Sequence, residues 1–248
     1  MMRRSASKKA GQPNSTNSIN FSPSDLFRTA SSRASSKEME RIDNLFHSYA
    51  NTSLGMIDPE GIETLCSDME VDHTDVRILM LAWKMKAEKQ GYFTLEEWRR
   101  GMKALRADTV SKLRKALPEL EKEVKRPSNF EDFYSYSFCY CLTEEKQKSI
   151  DIESICQLLD LVLGSHFRAQ VDYFIEYLKI QSDYKVINMD QWMGFFRFCN
   201  EVPQSLSLSW NFLFCYPCVD VPLFKKENIG EVNSSVHFLR YAHTDITL

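Results

Sequence analysis

Ile57-Asp58-Pro59-Glu60-Gly61-Ile62, Phe93-Thr94-Leu95-Glu96-Glu97-Trp98, Ile150-Asp151-Ile152-Glu153-Ser154-Ile155 and Ile187-Asn188-Met189-Asp190-Gln191-Trp192 share one pattern. Each runs apolar residue, helix-capping polar residue, any residue, acid, any residue, apolar residue. The first two copies begin 36 residues apart and the last two 37, with 57 between the pairs. This is the layout of two pairs of helix-loop-helix units. Asp58, Thr94, Asp151 and Asn188 are N-cap types, whose side chains accept from the first free amides of a helix. Pro59 falls at the first helical position, where its missing N–H costs nothing. Thr94-x-x-Glu97 fits a capping box, and Asn188-x-x-Gln191 is a looser relative. The apolar residue before each cap is placed to staple its loop to the helix that follows.

The spacing is that of EF-hand loops, but the ligands are missing. Such a loop places oxygen ligands at positions 1, 3, 5, 9 and 12 and Gly at 6. With Phe93 at position 8, Gly91, Thr94 and Glu97 fall at 6, 9 and 12, yet positions 1, 3 and 5 are Lys86, Glu88 and Gln90. With Ile57 at position 8, Gly55 and Asp58 fall at 6 and 9, while positions 1 and 12 are Ala50 and Gly61. A lysine at position 1 and the loss of the bidentate acid leave too little negative charge to hold calcium. The expected fold is all-α, a helical bundle built from two pairs of degenerate EF-hand-like units with no metal site. A degenerate EF-hand, calcium-responsive regulator is the alternative reading of the same repeats.

The 248 residues fit one large or two small domains, and 43% apolar content with only 8 Gly suits a helix-rich globule. A net charge of −3 does not suit a nucleic-acid surface. No apolar stretch follows the basic Met1–Lys9 segment, and nothing before residue 200 is long and apolar enough to span a membrane. Seven cysteines without a secretory signal imply free thiols in a reducing cytosol or nucleus. The expected localisation is nucleus and cytoplasm, with neither nucleic acid nor membrane as partner.

Residues 1–36 are Ser-rich and basic, too poor in apolar groups to offset their ordering entropy, and read as a disordered tail. Arg3-Arg4 and Lys8-Lys9 fit either a nuclear-import patch or a solvated basic tail. The helical domain runs from 37 to 200. Helical periodicity begins at Lys37, with Met39, Ile42, Leu45, Phe46 and Tyr49 on one face. Further helices are expected over Gly61–Met69, Thr74–Lys89, Leu95–Leu105 and Thr109–Ala116, with Pro118 starting a new turn to about Val124. The Thr74–Lys89 helix is apolar on two faces and so buried on two sides. Asn129–Cys141 is ambiguous: Tyr134, Tyr136, Phe138 and Tyr140 alternate like a strand, but no hairpin turn or partner strand lies nearby, so a buried helix is expected. Ile152–Leu163, Phe167–Ile180 and Met189–Cys199 complete the set.

No catalytic constellation emerges. There is no Gly-rich phosphate loop, no Gly-x-Ser-x-Gly elbow and no His-Glu-x-x-His, and His47, His73, His166, His237 and His243 are scattered over different elements. Cys139-x-Cys141 reads as core filling. Cys215-Tyr-Pro-Cys218 has metal or redox spacing but no second Cys pair close behind. No cofactor and no catalytic residue are expected.

Ile78-Leu-Met-Leu-Ala-Trp-Lys84, then Gly91-Tyr-Phe-Thr94 and Trp98-Arg-Arg-Gly-Met102, resemble the potentiating-neddylation domain of the defective-in-cullin-neddylation family. Phe130-Glu-Asp-Phe-Tyr134, Gln147-Lys-Ser-Ile-Asp151 and Ile187-Asn-Met-Asp-Gln-Trp192 follow in family order, from about residue 38 to 200. The resemblance implies a non-catalytic scaffold that binds a cullin, with the RING subunit of its ligase, and the neddylation conjugating enzyme, speeding transfer of the modifier to a cullin lysine by proximity. It implies an apolar pocket for the acetylated N-terminal methionine of the conjugating enzyme, lined by Ile62, Ile78, Leu79, Ala82, Phe93, Tyr140, Leu158 and Leu161. It also implies an acidic cullin-binding patch, of which Asp190 matches one member. On local grounds, those eight apolar residues read simply as core, and Asp190 as a first-turn acid favoured by the helix dipole.

After about Glu201 the resemblance stops. The family's closing Asp-rich turn, Ala-Trp-Pro and acidic helix have no counterpart in residues 201–248, which read as a divergent, poorly ordered segment or an alternative C-terminus. Weakened cullin binding with the methionine pocket kept is the expectation.

Overall fold

The computed structural model describes residues 23–201, with side chains from Ser35 onward. Among the described residues, nine α-helices and four very short strands alternate in the order the repeats dictate. Helix α1 (Pro23–Tyr49) leads through a loop carrying β1 (Ala50–Asn51) and β2 (Met56–Ile57) into α2 (Pro59–Met69). Helices α3 (Val76–Met85) and α4 (Leu95–Ala104) form the second unit. Helix α5 (Val110–Val124) connects the halves. In the second half α6 (Pro127–Tyr140), β3 (Ser149–Asp151) and α7 (Ile152–Leu163) precede α8 (Arg168–Ile180), β4 (Val186–Asn188) and α9 (Met189–Glu201).

The first apolar residue of each repeat does more than staple its own helix. Ile57 and Phe93 pair as an antiparallel bridge, each N–H donating to the other's carbonyl at 3.0 and 2.9 Å. Ile150 and Ile187 face each other in the β3–β4 ribbon, where three residue pairs align. All four side chains are buried. Burying such a side chain contributes about 1.5–3 kcal/mol, whereas a backbone hydrogen bond nets about 1 kcal/mol. Apolar burial therefore holds the loops together, and the hydrogen bonds set their register. These small ribbons, absent from the all-helical expectation, leave the all-α class intact.

The tryptophan that ends the second and fourth repeats closes each half. Trp98 Nε1 donates to Ile42 O of α1 at 3.0 Å, and Trp192 Nε1 donates to Tyr134 O of α6 at 2.9 Å. Tyr134 returns a bond to Trp192 O at 3.0 Å, its ring stacked on the indole with centroids 4.2 Å apart. The last helix of each half is thus fastened to the first by the same residue type at the same place.

The caps form as the sequence predicts. Asp58 accepts from Gly61 N at 3.0 Å and Asp151 from Ser154 N at 2.9 Å. Asn188 and Gln191 exchange two 3.0 Å bonds, so this pair is a full reciprocal box. The helix reading of Asn129–Cys141 holds: the tyrosines that alternate in sequence lie on α6, which Pro127 opens at its first helical position.

Four details differ. Helix α1 starts at Pro23, inside the stretch read as a tail; from there to Tyr49 no further Pro and no Gly interrupts it. Helix α3 is shorter than 74–89, stopped at Lys86, whose φ of 54° is left-handed. Pro118 lies within one continuous α5, because Leu113, Leu117, Leu120 and Val124 bury one unbroken stripe; that burial outweighs the one helix bond proline removes. Cys139 is exposed and Cys141 only partly buried at the end of α6, so this pair is not core filling; among the described residues Cys66, Cys156 and Cys199 are the buried thiols.

No helix among the described residues is long and apolar enough to cross a membrane. Trp210, Cys215, Cys218 and the divergent C-terminal segment lie outside the described residues, as do His237 and His243.

A Cβ on Gly61 would lie 2.2 Å from the Tyr49 carbonyl oxygen, where α1 ends against α2. Gly61→Ala is expected to destabilise the fold by about 1–3 kcal/mol, read as a lower midpoint in urea with an unchanged slope.

Candidate functional site

The helices that the loop pairings draw together enclose a cavity of about 490 Å³ between the two halves. All eight apolar residues singled out from the sequence line it. Ile62 comes from α2, Ile78, Leu79 and Ala82 from α3, and Phe93 from the paired loop. Tyr140 ends α6, and Leu158 and Leu161 come from α7. They are not uniformly core. Ala82 and Phe93 are almost completely buried, whereas Ile78, Leu79 and Leu161 are partly exposed. Helix α3 explains the arrangement. Wedged against α4, α5 and α6, it buries Met80, Leu81 and Met85 while its Ile78–Leu79 side stays open to the cavity.

Polar groups complete the wall, and periodicity gave no sign of them. Asp75 and Asp151, the N-caps of α3 and α7, stand there with His73, Gln90 and Gln157. Hydrogen bonds from Arg77 hold the Asp75 carboxyl below the usual carboxylate range. Those from the Ser154 amide do the same for Asp151. The capping role of Asp151 was legible, whereas Asp75 fell inside the helix expected from Thr74; the place of both at a cavity depends on the meeting of helices far apart in sequence. Gln147 braces the neighbouring loop, accepting from Thr143 N at 2.9 Å and donating to Ser149 O at 2.9 Å.

The second loop is closed by its own side chain. Glu97, at the position of a bidentate calcium ligand, accepts from Glu88 N at 2.9 Å through Oε1. Its Oε2 accepts from Thr94 N at 2.7 Å and from the Thr94 hydroxyl at 2.8 Å. Both oxygens are committed to the loop's own donors. In the first loop Asp58 takes Asn51 Nδ2 at 2.8 Å as well as its cap amide, and position 12 is the glycine with no room for a side chain. No group of three or more His, Cys, Asp or Glu side chains gathers as a metal site among the described residues.

Asp190 is exposed in the first turn of α9, just past the β3–β4 ribbon, and does not line the cavity. A larger cleft of about 840 Å³ lies between α7 and α8, and none of the predicted residues lines it. Part of its charged wall is paired internally, Arg168 bridging Asp160 and Asp172.

The described residues thus form a helical bundle with an apolar-lined cavity and a polar rim. Comparison with known proteins places it further. A family model described as cullin binding matches residues 112–219, running past Glu201. Human DCN1-like protein 4 is 40% identical over 162 residues, 65% of this chain and 54% of that protein. Human DCN1-like protein 5 is 36% identical over 162 residues, 65% of this chain and 67% of that protein. DCN1-like protein 3 of Pongo abelii is 32% identical over 202 residues, 81% of this chain and 66% of that protein. The chain thus spans about half to two thirds of the length of these relatives. It belongs to the DCN1-like family, with its cullin-binding domain.

Two measurements follow from the loops. Calcium at micromolar concentration is expected to give no binding heat in calorimetry, since Glu97 has no free oxygen to offer. The depressed folded values of Asp58, Asp75 and Asp151 mean that the stability these caps contribute is complete above the ordinary carboxylate range. It drains away as pH falls through the lower folded values. Asp151→Asn keeps an acceptor at the cap and should flatten that acid slope, read as thermal midpoint against pH.

Proposed function

We propose that the chain is a non-catalytic scaffold that promotes cullin neddylation by holding a cullin and the neddylation conjugating enzyme at once. The acetylated N-terminal methionine of the conjugating enzyme enters the cavity, and the cullin docks on a surface that includes Asp190, with the ligase's RING subunit carried alongside.

One observation supports this above the others: eight residues chosen from widely separated parts of the sequence line one cavity. Its volume of about 490 Å³ is large enough to admit a capped methionine, and its apolar lining suits a thioether with its methylenes. A free amino terminus would carry a charge into that lining, and an unpaired charge is costly to desolvate. Acetylation removes it. The family's cullin-binding description accounts for the second partner. The scaffold's contribution is proximity, since partners held in reacting geometry lose less freedom in the transfer step.

Binding of the full chain to a conjugating-enzyme N-terminal peptide tests the reading. The acetylated peptide is expected to bind at least tenfold more tightly than the unmodified one, and equal binding overturns the pocket assignment. Asp190→Ala should weaken cullin capture roughly three- to tenfold, in line with loss of one interface charge contact, without changing peptide affinity; unaltered capture removes Asp190 from the interface.

A further inference from the structure

Tyr140 differs from Tyr49, Tyr134 and Tyr136 in the direction of its hydroxyl hydrogen bond. Tyr49 donates to Asp68 Oδ2 at 2.6 Å, Tyr134 to Trp192 O at 3.0 Å and Tyr136 to Ala87 O at 2.8 Å. Tyr140 does the reverse, its hydroxyl oxygen accepting from Gly91 N at 3.1 Å. Among the described residues no acceptor takes its own O–H. Tyr140 and Gly91 both line the cavity, so the hydroxyl sits at the wall they share.

The group is fixed in place. The Tyr140 ring stacks on Tyr136, with centroids 5.4 Å apart and planes 20° off parallel, and the Ala87 carbonyl pins Tyr136 in turn. Gly91 holds its amide at a φ of 77°, a conformation that favours glycine. Only the O–H bond is left to rotate. Burial pushes the phenol up to about 12, so it keeps its proton at neutral pH.

We infer that the Tyr140 hydroxyl reads the acyl cap, donating to the carbonyl oxygen of an N-acylated amino terminus seated in the cavity. The inference rests on the pocket reading proposed above and adds a specificity-determining residue to it. A buried donor without an acceptor carries a desolvation penalty, and an amide carbonyl removes it. An unmodified amino terminus brings three N–H donors to a group that needs an acceptor. The cavity then distinguishes capped from free termini twice: through the apolar lining, which rejects charge, and through Tyr140, which asks for a carbonyl.

The test is a double comparison by fluorescence polarisation on the full chain. The ligands are a methionine-initiated conjugating-enzyme peptide bearing an acetyl cap, the same peptide bearing a thioacetyl cap, and the uncapped peptide. Sulfur accepts hydrogen bonds poorly, so wild type should bind the thioacetyl peptide about three- to tenfold more weakly than the acetyl one, the worth of one hydrogen bond. Tyr140→Phe should lose a similar factor for the acetyl peptide and become indifferent to the exchange of oxygen for sulfur. Acetyl binding unchanged in Tyr140→Phe, or a wild type indifferent to the exchange, overturns the Tyr140 assignment while the pocket reading stands. A wild type that does not prefer acetylated over uncapped peptide overturns the pocket reading itself. The thioacetyl arm on wild type needs no folded variant.

Discussion

Two side-chain pairs, Ile57 with Phe93 and Ile150 with Ile187, are what the rest of the molecule depends on. Each pair joins two loops that lie far apart in the chain, and each buries both partners while the backbones exchange hydrogen bonds. Once the loops are joined, the helices leaving them have fixed directions. Helix α3 is then driven against α4, α5 and α6, and the space left beside it, between α2, α6 and α7, is the cavity. The site is thus a by-product of loop pairing, with no wall supplied by an isolated insertion.

The same logic explains why the last helix of each half carries a tryptophan in its first turn. A helix joined only at its loop can still swing about that joint. Trp98 and Trp192 remove the swing by reaching from the last helix of each half to a carbonyl on the first. An indole is large enough to contribute strongly by burial and carries one N–H that must be satisfied inside. One residue therefore supplies packing and orientation together.

Much of this was legible from spacing. The repeats gave the helix starts, the caps and the pairing of units, because capping chemistry acts over three residues and leaves a local trace. Pro118 misled for the same reason in reverse: proline's local preference is to break a helix, but the stripe from Leu113 to Val124 is buried by α2, α3 and α6, which no local pattern records. Cys139 misled because an aromatic neighbourhood in sequence is not a buried one in space. The eight cavity residues came from family resemblance; local grounds alone assigned them to the core, and for Ile62, Ala82, Phe93, Tyr140 and Leu158, all buried, that was right. What separates Ile78, Leu79 and Leu161 from core is partial exposure, a property of how two halves meet. The rim itself left no trace, since Asp151 looks like an ordinary cap and Asp75 like part of a longer helix until α3 and α7 are seen side by side.

Glu97 turns this architecture into a permanent one. In a loop that waits for an ion, the acid at this position swings in when the ion arrives, and the helices shift with it. Here the acid already binds Glu88 N, Thr94 N and the Thr94 hydroxyl, and Lys86 occupies the place where the first ligand would stand. The loop is locked without a ligand, so the cavity beside it needs no trigger. On the scaffold reading proposed above, that is the useful state. A cavity already shaped avoids the ordering cost of forming one on binding, and a rigid platform transmits the position of one partner to the other. The second loop thus keeps its form through its own acid and amides, beside a cavity that the loop pairing has already shaped.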